Sequence, residues 1–296
     1  MSGRVVTVSA MWVLWIVTAV WAFSFSLIGV YLSGQVDNYI AVFTRVALAF
    51  LLFVPLLRPR SLPFSKLAAL TGIGGVQLGM TYLLLYHSFL YLSVAEVLLF
   101  TIFTPLYITL LEELLLNRRR LPRRWWMAAF LAVVGAAVIR YDGISDSALL
   151  GFFLIQGANL CFALGQVAYR RLPLGDVKQQ SQVFGFFFLG ASLVSGIGVL
   201  LFADLSKLPD SSLEWGILIW LGLGASGLGY LGWNLAAKYV NTGQLATMNN
   251  MLIPAGILVN FLFWNREIDW LRLLIGGAII AVSVWMCQKK SGASAA

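Results

Sequence analysis

Ten stretches of this chain are apolar for long enough to cross a lipid bilayer: about 10–32, 40–57, 67–90, 94–116, 125–140, 148–169, 180–203, 214–236, 243–264 and 271–288. A helix needs about 20 apolar residues to cover the hydrocarbon core, and the fifth stretch is the short one. In lipid no water satisfies a bare N–H or C=O, so a spanning segment is either a helix or part of a closed barrel. The residue-by-residue alternation of barrel strands is absent, which leaves helix for every stretch. The expected fold class is an all-α integral membrane protein. Composition agrees, with 60% of 296 residues apolar and 11% charged, against about 25% charged in a soluble domain. A soluble enzyme, a disordered chain and a disulfide scaffold are excluded. Cys161 and Cys287 both sit in apolar runs and read as small core residues. With His87 the sole histidine, no metal site and no cofactor is expected. The first stretch is too long for a signal-peptide core and is expected to stay in the mature chain.

The net charge of +8 would suggest a nucleic-acid partner in a soluble protein. Here the basic residues collect in alternate connections, as orientation in a membrane requires. With the N-terminus in the cytoplasm, the inner segments hold Arg4; Arg58, Arg60 and Lys66; Arg118, Arg119, Arg120, Arg123 and Arg124; Arg170, Arg171 and Lys178; Lys238; and Lys289 and Lys290. The outer segments hold only Arg140, Lys207, Arg266 and Arg272, and Arg45 lies within the second span. Both termini are therefore expected in the cytoplasm. The basic runs read as topology signals and lipid-headgroup contacts, and no nucleic-acid partner is expected.

Two halves, 1–146 and 147–296, overlay at an offset near 149. Thr104-Pro105 in the fourth span matches Ile253-Pro254 in the ninth. Ser93 and Thr242, both suited to capping a helix start, lie twelve residues before the two prolines. Asn117-Arg118-Arg119 and Asn265-Arg266-Glu267 follow as short charged loops, and one more span closes each half. Five spans per half would put the second half into the membrane upside down. Such inverted repeats characterise many secondary transporters, with the substrate held near mid-membrane between the halves.

At this point the chain resembles the drug/metabolite transporter superfamily in its EamA-type branch, over nearly its whole length. The resemblance is carried by "LWIVTAVWAFSFSLIGVYL"; by "YIAVFTRVALAFLLFVPLL", with Arg45 where the family usually has Arg; by "LYLSVAEVLLFTIFTPLYITLLEELLL"; and by "YVNTGQLATMNNMLIPAGILVNFLFWNREIDWLRLLIGGAIIAVSVWM". The second half keeps the family's proline-then-glutamate pattern in Pro254 and Glu267, whereas the first has Arg118 at the acidic position. The resemblance implies an inner-membrane carrier of small metabolites working by alternating access. It also implies a cavity lined by spans one, three, four, six, eight and nine, with spans five and ten at the periphery. Among family members, the aromatic amino-acid exporters of the YddG type are the leading comparison, so export of an amino acid is the expectation. Uptake, or export of another amphipathic metabolite or drug, is the alternative. A membrane-embedded enzyme would need grouped acids, histidines or a metal motif, and none is visible; the paired prolines favour a carrier over a channel or a scaffold.

An ionisable residue inside a span is a functional candidate, because placing it there costs about 2.5–3.5 kcal/mol on insertion scales. His87, near the outer end of the third span, is a candidate for substrate or proton binding. Glu96 lies across a short turn from it and would pair with His87 or a substrate amine; it also completes a capping box with Ser93. Arg45 lies under two turns from the end of its span, within snorkelling reach, and a structural role is favoured for it. Tyr82 and Tyr86 share one helix face at i, i+4, and Trp21 would complete an aromatic wall able to stack on a ring or contact an amine. Among amides within apolar spans, Asn159, Asn234, Asn249 and Asn250 are further substrate-binding candidates, with Gln166 and Asn260 expected to face helices or a wet cavity. Pro105 and Pro254 are the hinge candidates, expected to free the carbonyls of Thr101 and Asn250. The partners expected are a small-molecule substrate, membrane lipid and, through His87 or Glu96, a proton. Glycines cluster in the third span (Gly72, Gly74, Gly75, Gly79) and the eighth (Gly222, Gly224, Gly227, Gly229, Gly232), which would let helix backbones approach closely.

Overall fold

In a computed structural model, the residues described are 2–112, 146–240 and 242–264, with isolated positions at 127, 131, 134, 138, 270–271, 274–279 and 282; side chains are described from residue 9 onward. The fifth span, most of the tenth, the Arg118–Arg124 cluster and the Asn265–Glu267 loop lie outside them. The described residues are helical, with no strand among them. Among the described residues, six helices are long and apolar enough to cross a membrane: Ser9–Leu32, Asn38–Leu56, Phe64–Ser88, Ser147–Arg171, Val177–Phe202 and Ser212–Ala237. Val94–Ile108 and Met248–Trp264 are shorter apolar helices. In chain order these rods are α1 (Ser9–Leu32), α2 (Asn38–Leu56), α3 (Phe64–Ser88), α4 (Val94–Ile108), α5 (Ser147–Arg171), α6 (Val177–Phe202), α7 (Ser212–Ala237) and α8 (Met248–Trp264).

The rods start where their sequences offer a cap. Asp37 accepts from the amide of Ile40 ahead of α2, and Asp176 from that of Gln179 ahead of α6. The expected capping box is present at α4: the Ser93 side chain takes the Glu96 amide while the Glu96 carboxylate takes the Ser93 amide at 2.8 Å. α7 opens with the same box from Ser211 and Glu214. Each bond satisfies a backbone donor that a helix start leaves open.

Helices from before and after residue 146 interleave. α1 packs on α7 and α8, α2 on α6 and α7, α3 on α5 and α6, and α4 on α5 and α8. If α1–α4 exchange places with α5–α8 in order, every one of these pairings maps onto another or onto itself. Glycines set the closest approaches. A methyl group at Gly74 would run into the backbone of Phe187, and one at Gly190 into that of Thr71, so α3 and α6 touch backbone to backbone. In the counterpart pair, Gly222 of α7 lies on Arg45 and Leu48 of α2, and Gly227 on Leu52. Both glycine-rich rods also widen to a π-helical segment, Gly75–Met80 in α3 and Trp220–Leu228 in α7. Loosened turns of this kind are frequent at functional sites.

The two proline breaks differ. Before Pro105 the helix tightens into a 3-10 turn over Thr101–Phe103 and restarts at Thr104. Pro105 thus occupies a first-turn position, where its missing N–H costs nothing. The Thr101 carbonyl is not freed as expected, since the Thr104 amide donates to it. Pro254 instead lies inside an unbroken helix, Thr242–Trp264.

At one end of the bundle, charged side chains tie the rods together. Arg170 donates to Glu112 at 3.3 Å and to the Val240 carbonyl, Lys66 to that of Pro173, and Lys238 to that of Leu172 at 3.0 Å. Lys238 also lies over the Tyr169 ring, and partial burial pushes its ammonium down to about 8.

Candidate functional site

A cavity with a mostly apolar wall and a few convergent polar groups lies among α1–α5, α7 and α8, the make-up of a site for a small organic ligand. All six expected spans contribute to it: Trp21, Ser24, Phe25 and Ile28 from α1; Thr81, Tyr82 and Leu85 from α3; Thr101 and Thr104 from the α4 region; Ile155, Ala158, Asn159 and Phe162 from α5; Tyr230 from α7; and Asn249 and Leu252 from the last described helix. One contributor was not expected there. α2 adds Arg45.

Arg45 is 2% exposed. It does not snorkel to the membrane surface, because its own bonds turn it inward. Nε donates to Ser226 Oγ at 2.6 Å and Nη1 to the Tyr86 hydroxyl at 3.1 Å. The guanidinium carbon lies 4.0 Å from the centre of the Tyr82 ring, and the Tyr82 hydroxyl is itself 3.1 Å from Ser226 Oγ. These contacts soften the burial of a cation but do not neutralise it. Among the described residues, no carboxylate lies within ion-pair distance of Arg45, and an arginine cannot shed its proton. A buried charge is costly until it is paired. A guanidinium in the wall of a cavity with no described acidic partner can receive an anion, and its planar fork suits a carboxylate.

Five aromatic residues, Trp21, Phe25, Tyr82, Phe162 and Tyr230, contribute to the rest of the wall. The Trp21 ring lies 5.0 Å from that of Tyr230 and 4.9 Å from that of Trp233, with Phe162 edge-on at 6.4 Å. Trp21 is anchored by a 2.8 Å bond from its Nε1 to the Ala225 carbonyl, within the π-helical segment of α7. Such a wall covers apolar ligand surface at little entropic cost.

Of the residues singled out in the sequence, Trp21, Tyr82, Asn159 and Asn249 line the cavity. Tyr86 stands behind it and holds Arg45. Asn159 is already committed: Nδ2 donates to the Phe100 carbonyl at 2.8 Å and to Gln156 at 3.3 Å, while Oδ1 accepts from Thr104 at 3.2 Å. It seals the turn before Pro105 against α5. Asn249 donates to Leu245 of its own helix, which leaves its carbonyl oxygen as an acceptor at the cavity. Asn250 does not line the cavity, and its Oδ1 is buried without a partner among the described residues. Asn260 bonds Ser26 across to α1. Asn234 is fully buried, and its Oδ1 accepts from Gln77 at 3.1 Å.

His87 and Glu96 are placed elsewhere. His87 lies in a separate apolar groove with Tyr39, Leu83 and Phe202. Its Nδ1 is 2.7 Å from the Leu83 carbonyl and its ring 4.7 Å from that of Tyr39. Glu96 serves the capping box. Arg45, for which a structural role was expected, lines the cavity; the signal that marks it is its place seven residues into an apolar helix.

Residues 9–141 match the model of the "EamA-like transporter family". A Pseudomonas aeruginosa protein named "Probable biotin transporter" is 50% identical over 274 residues, covering 91% of this chain and 94% of the relative. Proteins named "Biotin transporter" from Salmonella typhimurium and Escherichia coli are 45% and 44% identical, each alignment covering 93% of this chain and 91% of the relative. A crystal structure of another protein, 19% identical, superposes with a TM-score of 0.62 over 97% of this chain and 98% of that one. The names of these relatives do not support the expected amino-acid export.

Proposed function

The chain belongs to the EamA-like transporter family, and we propose that within it this protein carries biotin across the membrane. Its work is transport, not catalysis. The observation that carries the substrate assignment is Arg45, a buried cation with no described acidic partner in the wall of a cavity that five aromatic residues also line. Biotin has the matching parts. Its carboxylate meets Arg45, its aliphatic chain and fused rings lie on Trp21, Tyr82, Phe162 and Tyr230, and an N–H of its urea donates to the Asn249 carbonyl oxygen. An amino acid would bring an ammonium group as well, and the described lining offers no carboxylate to receive it.

The reading includes ten membrane helices in two halves, 1–146 and 147–296, inserted in opposite directions with both termini in the cytoplasm. It is supported by the helix pairings that survive exchange of the halves, by the matched π-helical segments of α3 and α7, and by the basic inner connections of the sequence. Alternating access would then rock the halves about the cavity, with Pro105 and Pro254 at the points of flexure. No proton is assigned to the cycle, since His87 and Glu96 lie outside the cavity.

The test is counterflow in proteoliposomes preloaded with unlabelled biotin, which reads exchange whatever the direction of net movement. Labelled biotin should accumulate transiently inside. Exchange of tryptophan or phenylalanine without exchange of biotin would overturn the assignment.

A further inference from the structure

Behind the aromatic floor of the cavity lies a second polar layer that the carboxylate site does not use. Gln77 of α3, Gln166 of α5 and Asn234 of α7 are each fully buried. Gln77 donates to Asn234 Oδ1 at 3.1 Å, and Trp233 Nε1 reaches Gln166 Oε1 at 3.5 Å. Gln77 also packs directly on Gly165, the neighbour of Gln166. Three atoms of this layer have no hydrogen-bond partner among the described residues: Gln77 Oε1, Asn234 Nδ2 and Gln166 Nε2. Turning over both amides of the Gln77–Asn234 pair leaves that pair with the same one donor and one acceptor. A buried donor or acceptor without a partner is destabilising, and native structures keep few of them. Three in one layer, at the junction of three helices, call for a partner that is present in another state of the molecule.

The inventory of one acceptor and two donors defines that partner's chemistry: a planar group presenting N–H beside C=O, as in a cyclic urea. The layer also lies on a route. Trp21 lines the cavity and stacks on Trp233, whose indole holds Gln166. Separating the two indoles joins the cavity to the amides. Gln77 lies in the π-helical segment of α3, and Asn234 and Gln166 lie one turn from Lys238 and Arg170, at the basic end of the bundle. We propose that Gln77, Gln166 and Asn234 form a second substrate station, which receives the urea head once the Trp21–Trp233 floor parts and passes the ligand toward the basic end. The proposal rests on the biotin reading of the main cavity and adds the step that follows it.

The test compares biotin with lipoate, which has the same carboxylate side chain but a dithiolane ring in place of the urea. Wild-type protein and the Gln166→Met/Asn234→Leu double variant are reconstituted, and equilibrium binding and transport rate are measured for both ligands. The double variant should transport biotin about tenfold more slowly than the wild type, the loss of roughly one hydrogen bond to a committed partner. Lipoate transport should not slow. If the double variant does not reconstitute, Gln166→Met alone gives the same split at a smaller factor. Equal slowing of both ligands, or of neither, overturns the station and leaves the Arg45 reading standing. A wild-type protein that binds neither ligand overturns both.

Discussion

Arg45 and His87 are both titratable groups within apolar helices, and the fold treats them in opposite ways. Arg45 is drawn inward by Ser226, Tyr86 and Tyr82, onto the wall of the cavity between the halves. His87 faces a separate apolar groove and spends one ring nitrogen on the Leu83 carbonyl of its own helix. The difference follows from chemistry. A histidine can be buried neutral, and one backbone carbonyl is partner enough. A guanidinium stays charged at every working pH, so burying it creates a standing demand for an anion. Lys238 is a third case: burial pulls its ammonium down to about 8, yet at neutral pH it keeps its proton and donates to the Leu172 carbonyl.

Arg45→Gln should break the contrast most severely. Losing one partner of a desolvated charge pair costs about 2–5 kcal/mol, so biotin binding should weaken by about 100-fold or more, as read by calorimetry on purified protein. Tyr82→Leu removes the ring beneath the guanidinium, a contact of about 0.5–2 kcal/mol. It should weaken biotin binding by several-fold while leaving the fold intact by thermal melting. Ser93→Ala removes the α4 cap and should cost about 0.5–2 kcal/mol of stability with no change in biotin affinity; a large loss of affinity would tie the cap to the site.

His87→Ala should leave both biotin exchange and its pH response unchanged. Because Arg45 keeps its charge, binding should stay flat from pH 6 to 8 and fall only as the ligand carboxylate protonates, near pH 4–5. A pH dependence of binding between 6 and 8 that disappears in His87→Ala would reverse the roles assigned to the two residues. The smallest effect concerns Lys238. Its folded-state pKa lies below its unfolded one, so its burial penalty is fully present below about pH 8 and fades as pH rises toward the unfolded value. The melting temperature of Lys238→Met should lack the corresponding rise above pH 8.

The sequence shows helix positions and starts because those are local matters. Ser93 and Glu96 stand three apart and form the expected box, and the i, i+4 spacing of Tyr82 and Tyr86 places both beside Arg45. The depth of Arg45 is not local. It lies seven residues into its helix, about 10 Å from the start, a distance that snorkelling spans on paper. The partners that turn it inward, Tyr86 and Ser226, come from other helices, Ser226 from the other half of the chain. Asn159 and Asn249 look alike as amides in apolar spans, yet one is saturated by Phe100, Gln156 and Thr104 while the other keeps an acceptor at the cavity. The 3-10 turn before Pro105 was likewise hidden, since a proline signals only that a helix must change there.

The central claim is that Arg45 waits for the carboxylate of the ligand. Binding of biotin and of its neutral primary amide, measured side by side on wild-type protein and Arg45→Gln, tests it most directly. The account predicts that the wild type prefers the acid by about 100-fold and that the variant binds acid and amide equally. A wild type indifferent to the ligand's charge, or a variant that keeps the preference for the acid, would contradict it.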